Sequence, residues 1–158
     1  MRGIVFLVLF SFLFSQAISD YTYTGFDGTS LCGAVVAQKG GSWSLYHNPA
    51  GLSEVDNIYI SFGYTKIFNQ SFLPYKNADI IIPSKKQLGN FGLSIQQMSI
   101  SYNGNTLSSE KIIGFSQGFF ILKDMNSTMS LGYTINFMNW DLGQSAGISG
   151  DGSDGINL

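Results

Sequence analysis

This sequence has few charged residues. Only 11% of its 158 residues are charged, against about 25% in an ordinary soluble domain. It is not a disordered composition either, because aromatic residues make up 15% and disordered chains are charge-rich and aromatic-poor. The net charge of -2 provides no basic surface for nucleic acid, so no nucleic-acid partner is expected. The single cysteine, Cys32, excludes an intramolecular disulfide framework.

Catalytic and metal-binding chemistry has no support in the sequence. His47 is the only histidine, and it lacks a nucleophile partner, a paired carboxylate or a second ligand at helical spacing. Cys32 has no partners at metal-ligand spacing. The Gly- and Asp-rich residues 141–155 lack the alternating acidic ligands of a calcium loop. We therefore expect no enzyme activity, no cofactor and no metal site.

The first 17 residues have the three parts of a secretory signal peptide. Arg2 forms a minimal basic end, residues 4–14 form an apolar run, and Ser15-Gln16-Ala17 is a small-residue cleavage site. The apolar run of 11 residues is well short of the roughly 20 that a membrane-spanning helix needs. We expect export, with cleavage after Ala17.

Alternation with a period of two dominates the second part of the chain. In residues 128–140 the odd positions from 129 to 137 are apolar, and small or polar residues alternate with them. Such patterns predict strands at 57–68, 72–83, 91–102, 107–122 and 128–140, and a sixth strand starting at Ile156. Tight hairpin turns are predicted at 103–104 and 124–127.

The apolar phase changes within residues 91–102, from Phe91, Leu93 and Ile95 to Met98, Ile100 and Tyr102. A bulge near Gln96 and Gln97 would restore one consistent apolar face. Slippage of the strand, or two separate short strands, are the alternatives.

The charge-free length of these strands favours a membrane sheet. No charged residue occurs in 87–109, 112–122 or 125–140, and a barrel strand crosses a membrane in about 9 to 11 residues. Because no later segment is apolar enough for a spanning helix, a membrane-inserted chain must cross as a closed sheet. We expect residues 57–158 to form the first strands of an all-β, antiparallel transmembrane β-barrel. Too few strands are present for closure, so a reading frame continuing past Leu158 is expected. The alternative is a secreted soluble β-sandwich that acts as a binding or adhesion module.

Residues 18–56 do not share the alternation. Six glycines break them into short pieces, and a helical turn is predicted after Pro49. They contain Trp43-Ser44-Leu45-Tyr46-His47-Asn48-Pro49-Ala50-Gly51-Leu52. This segment resembles the Asn-Pro-Ala-Gly-Leu motif near the N-terminus of the FadL/TodX outer-membrane transporters and their PorV/PorQ relatives. Gly33-Ala34-Val35-Val36-Ala37 is similar to the small-residue run before that motif in the PorV/PorQ branch, whereas Lys39-Gly40-Gly41-Ser42 lacks the acidic residue often found in the FadL branch.

The resemblance implies a 14-stranded barrel in the bacterial outer membrane, whose N-terminal segment, residues 18–56, folds into the lumen as a hatch. The hatch motif would comprise Asn48, Pro49, Ala50 and Gly51. The implied partners are outer-membrane lipid and either a hydrophobic small-molecule cargo or the proteins of a type IX secretion system.

The apolar faces, if they meet lipid, leave a small and neutral lining for the lumen. The predicted lining residues are Ser61, Gly63, Thr65, Ser94, Gly114, Ser116, Gly118, Gly132, Thr134 and Asn136. A lining of this kind argues against a charge-selecting pore and allows hydrophobic cargo or a plugged lumen. The aromatic residues Tyr64, Phe68, Tyr102 and Trp140, at predicted strand ends, suit either an interfacial girdle or a core.

The signal peptide predicts that the exported protein begins at Ile18. Intact-mass measurement of the protein from a membrane fraction is expected to show the loss of residues 1–17. Ala17→Arg removes the small residue that the cleavage site needs, so this variant is expected to accumulate as the uncut precursor. An uncut wild-type chain in the same fraction would contradict a cleavable signal.

Overall fold

A computed structural model describes residues 30–32, 34–38, 40–84, 88–142 and 153–157. The predicted signal peptide lies outside these ranges, as do residues 18–29 of the predicted hatch and most of the Gly-rich stretch after Asp141. The described part of the predicted hatch is therefore residues 30–32, 34–38 and 40–56.

The strands pair in chain order and form one six-stranded antiparallel sheet. They are β1 (Tyr59–Lys66), β2 (Pro74–Ile82), β3 (Asn90–Tyr102), β4 (Asn105–Lys123), β5 (Thr128–Asp141) and β6 (Ser153–Asn157). The all-β prediction is confirmed, since each strand overlaps the segment predicted for it. Over the described residues the sheet is open, with β1 and β6 at its edges.

Three short helical pieces lie within residues 40–84 of the described chain. The helix α1 (Ser44–His47) is followed by the 3-10 helix η1 (Pro49–Glu54), and the 3-10 helix η2 (Ile67–Asn69) lies between β1 and β2. Pro49 opens η1, where its missing N–H costs no hydrogen bond, so the predicted helical turn is present. No helix of the described chain has the length and apolar character needed to span a membrane.

The bulge predicted at Gln96 and Gln97 is wrong. β3 pairs with β2 in unbroken register through both residues. The register shifts lie instead in β4, where Leu107 is extra opposite β3 and Ile121 is extra opposite β5. The apolar side chains of β3 therefore change from one face of the sheet to the other along the strand.

The two faces of the sheet are different surfaces. α1 and η1 lie on one of them, which we call the packed face, and we call the opposite one the exposed face. The core between the helices and the packed face is small, and consists of Leu45, Leu52 and Val55 with Ile81 of β2. The helices cover only the end of the sheet at which β3 begins, which we call the near end. The hairpin at Asn103 marks the far end.

Candidate functional site: the N-terminal segment on the packed face

Glycines on the packed face make room for the predicted hatch motif. Gly118 of β4 and Gly132 of β5 are direct cross-strand partners. A Cβ atom at Gly118 would overlap with the carbonyl oxygen of Pro49, and one at Gly132 would overlap with the backbone of Pro49 and Ala50. The motif backbone therefore lies directly against the sheet backbone, at a separation that only glycine permits.

Asn90 of β3 holds the end of η1. Its buried Nδ2 donates hydrogen bonds of 2.7 Å to the carbonyl oxygens of both Leu52 and Val55. Its Oδ1 accepts a bond of 2.9 Å from the backbone N–H of Ser84. One side chain thus bonds to three polar backbone groups, two of them at the C-terminal end of η1.

Further polar contacts surround the motif. Asn48 is extended, with φ -154° and ψ 87°, as expected for the residue before proline. Its Nδ2 donates a bond of 2.9 Å to the carbonyl oxygen of Val36, which ties the motif to the chain before it. Ser53 Oγ lies 2.8 Å from the carbonyl oxygen of Ala50 and 2.9 Å from Ser130 Oγ of β5. The motif is therefore bonded both to its own segment and to the sheet.

Tyr46 connects α1 to an acidic residue of β2. Its hydroxyl donates a bond of 3.0 Å to Oδ2 of Asp79, which also accepts a bond of 2.6 Å from Ser61 Oγ. The other oxygen, Oδ1, is buried and has no hydrogen-bond partner within the described structure. Burial, and secondarily the charge of Asp79, raise the pKa of Tyr46 well above its usual value, so the phenol stays protonated and donates.

His47 lies at the end of α1. Burial lowers the pKa of its imidazole from the usual 6.5, and its Nε2 is buried with no partner in the described structure. Among the described residues, no group of three or more His, Cys, Asp or Glu side chains is placed to hold a metal ion. His47 is therefore a neutral, partly buried residue beside the motif.

The ten residues predicted to line a lumen all lie on the packed face. They are Ser61, Gly63 and Thr65 of β1, Ser94 of β3, Gly114, Ser116 and Gly118 of β4, and Gly132, Thr134 and Asn136 of β5. Ser116 Oγ and Thr134 Oγ1 are 2.8 Å apart, so neighbouring strands are bonded through these side chains. That this face lines a lumen stays a prediction.

The set predicted from the sequence omits several polar residues of the same face. They include Asn77, Asp79, Asn90, Gln96 and Glu110, all of them buried except Gln96. Alternation in residues 74–82 was the available signal for Asn77 and Asp79, since Ala78, Ile80 and Ile82 alternate with them. The packed face carries the two carboxyl groups of Asp79 and Glu110, so the predicted lining of small, uncharged residues was incomplete.

A cavity of about 690 Å³ lies between the N-terminal segment and β5. Its lining includes Leu45, Tyr46 and Pro49 from the segment and Gln96, Thr134 and Asn136 from the sheet. Its volume is within the range of roughly 300 to 1,000 Å³ that is usual for small-molecule pockets. The packed face thus offers space for a ligand next to the motif.

The chain matches no protein-family model, no characterised protein and no solved structure at a significant level. The resemblance to FadL/TodX and PorV/PorQ proteins therefore stays a prediction, which depends on residues 33–37 and 43–52.

The glycine contact predicts that a side chain at position 132 displaces the motif. Gly132→Val is expected to weaken docking of η1 by about 1 to 3 kcal/mol, because the overlapping atoms belong to backbone and cannot rotate away. Trp43, 3% exposed, reports docking by fluorescence once the other tryptophan is removed by Trp140→Phe. Its emission is expected to shift to the red. Gly63→Ala is the control, since the nearest group there is the end of the Asn77 side chain. An unchanged spectrum in Gly132→Val would contradict the close approach.

Asn90→Asp tests the polar contact with a side chain of the same shape. The carboxylate cannot donate, so it would face the carbonyl oxygens of Leu52 and Val55 with no hydrogen between them. We expect faster proteolysis of residues 44–54 and a loss of about 2 to 4 kcal/mol in docking stability. Asn105→Asp, at the exposed hairpin, is the matched control. Equal proteolysis rates in the two variants would contradict a role for Asn90 in holding η1.

Proposed function

We propose that this sheet is part of the wall of a bacterial outer-membrane β-barrel, that the N-terminal segment is its hatch, and that the protein passes hydrophobic compounds. Lipid would contact the exposed face, and the packed face would line the lumen. The observation that carries the proposal is the distribution of residues on the exposed face.

Strand register aligns the exposed face into apolar rows. One row consists of Ile60, Ile80, Leu93, Phe115 and Ile135, from β1 to β5. The next row towards the far end consists of Phe62, Ala78, Ile95, Ile113 and Phe137. Phe62 is 82% exposed and Phe137 51% exposed, and the described chain forms no second sheet over them. A surface of this kind suits acyl chains better than water.

The apolar rows end together. The following row is Tyr64, Lys76, Gln97, Lys111 and Asn139, so all five strands become polar or interfacial at the same level. An aligned boundary is what the edge of a hydrocarbon layer requires. On β4 the charge-free residues 113–122 cover roughly 30 Å of strand, which at a tilt of about 40° is a height of about 23 Å. Outer-membrane barrels have an apolar band roughly 25 Å tall.

Gln117 is the polar exception within this band, and its amide is bonded at both ends. Its Nε2 donates to the carbonyl oxygen of Leu88, and its Oε1 accepts a bond from the hydroxyl of Tyr133. Since an unsatisfied polar group in hydrocarbon costs several kcal/mol, this pairing is the arrangement that a lipid-facing Gln needs.

The cavity beside the hatch favours passage of a small molecule. It lies on the face that would line the lumen, and the hatch motif forms one of its sides. The resemblance also implies a role in type IX protein secretion, for which the described surface offers no comparable feature. Movement of the hatch would be needed to join the cavity to the near end of the barrel.

Lipid accessibility tests the proposal at neighbouring positions on each of two strands, β3 and β5. In a Cys32→Ser background, fluorophores at Phe137→Cys and Ile95→Cys are expected to be strongly quenched by nitroxide-bearing lipid in bilayer-reconstituted protein. The matched controls Asn136→Cys and Ser94→Cys lie on the packed face, and little quenching is expected there.

A protein that is monodisperse in water, with Phe137 and Ile95 shielded by a second sheet or a second copy, would support a soluble β-sandwich and overturn the barrel.

A further inference from the structure

The far half of the packed face contains a buried acid with no described partner. Glu110 of β4 is 8% exposed, and no hydrogen bond or ion pair joins it to another described residue. It lies between Met98 of β3 and Trp140 of β5, its direct cross-strand partners. A buried carboxylate is costly unless a cation or hydrogen-bond donor compensates it. The position is therefore suited to an incoming group that supplies one.

The indole beside Glu110 has a defined position. Trp140 Nε1 donates a bond of 3.1 Å to Ser108 Oγ, which also lies on β4. The bond holds the ring on the packed face, so Trp140 does not belong to an aromatic girdle on the exposed face. A carboxylate and an adjacent aromatic ring together attract an organic cation, the first by charge and the second through its π face.

Apolar side chains continue from Glu110 towards the hatch. The next row of the packed face pairs Gln96 with Ile112 and Ile112 with Met138. Gln96 also lines the cavity beside the motif. One row along a strand is about 7 Å, so an apolar chain whose head lies at Glu110 reaches the cavity after a short distance.

Apart from Lys123 at the near end of β4 and Asp141 at the far end of β5, the charged residues of β1 to β5 are separated by sign across the sheet. Lys66, Lys76 and Lys111 occupy exposed-face positions. Asp79 and Glu110 occupy packed-face positions, and Asp79 already accepts bonds from Ser61 and Tyr46. Between the hatch and the far end, the described packed-face positions include no Lys or Arg. A bound cation would have no competitor for Glu110 there.

We propose that Glu110 and Trp140 bind the head group of a cationic amphiphile, such as an alkylammonium compound, with its apolar chain over Ile112 and Met138. The inference rests on the proposed function and adds the charge of the cargo. Glu110 supplies the counter-charge and Trp140 the aromatic surface. An anionic amphiphile of the same chain length meets an uncompensated carboxylate and is rejected.

Charge selectivity tests this site in the full chain, reconstituted in phosphatidylcholine nanodiscs. The probes are octyltrimethylammonium, octanol and octanoate, and the readout is quenching of Trp140 in a Trp43→Phe background. Saturable binding of the ammonium compound is expected, about tenfold tighter than binding of octanol, with octanoate weakest. Glu110→Gln is expected to remove the preference for the cation. Asp141→Asn, the neighbouring acid on the exposed-face side of β5, is the matched control and is expected to retain it.

Octanoate or octanol binding as tightly as the ammonium compound would overturn the site, as would full selectivity in Glu110→Gln. Even if Glu110→Gln fails to fold, comparing the three probes on the protein with Glu110 intact tests whether the site prefers a cation. Lipid quenching at positions 95 and 137 judges the barrel separately. A lipid-exposed protein without charge selectivity therefore rejects this inference alone, and a water-soluble protein with selectivity rejects only the barrel.

Discussion

The close approach of residues 48–52 to the sheet is the contact on which the rest of the site depends. Gly118 and Gly132 are cross-strand partners without side chains, so the backbone at Pro49 lies directly against the sheet. With the segment in this position, Asn90 donates hydrogen bonds to the carbonyl oxygens of Leu52 and Val55, and Tyr46 donates one to Asp79. The rigid turn at Pro49 and the two glycines beneath it together define one docked position of the segment.

The two faces of the sheet reverse the usual distribution of polar and apolar side chains. The face covered by the protein's own N-terminal segment is rich in Ser, Thr, Asn and Gly, whereas the uncovered face carries aligned rows of Ile, Leu and Phe. In water this arrangement would leave the more apolar of the two faces in contact with solvent. With lipid as the solvent of the exposed face, it becomes consistent, because only the packed face and the hatch then meet water. The satisfied amide of Gln117 agrees with this division.

Two acids give the packed face its electrostatic character, and their surroundings differ. Asp79 lies under the hatch, where Tyr46 and Ser61 donate to one of its oxygens. Glu110 lies beyond the hatch among Met98, Ile112 and Trp140, without a described donor. The first acid holds the N-terminal segment in place, and the second, as we propose, selects a cation. The cavity is lined by Tyr46, which donates to Asp79, and by Gln96, which lies one row from Glu110, so the two acids adjoin neighbouring parts of one surface.

Local constraints made much of this protein predictable from its sequence. Alternation in residues 128–140 depends only on the pleat of one strand, and the turn at Asn48 and Pro49 depends only on the proline ring, so both were predicted correctly. Pairing between strands is not local. It decided that β3 passes Gln96 without a bulge, that Asp79 and Glu110 join the packed face, and that the polar boundary is level across five strands. Each strand's sequence determines which side chains share a face, whereas register, set by hydrogen bonding between distant residues, determines which of them become neighbours.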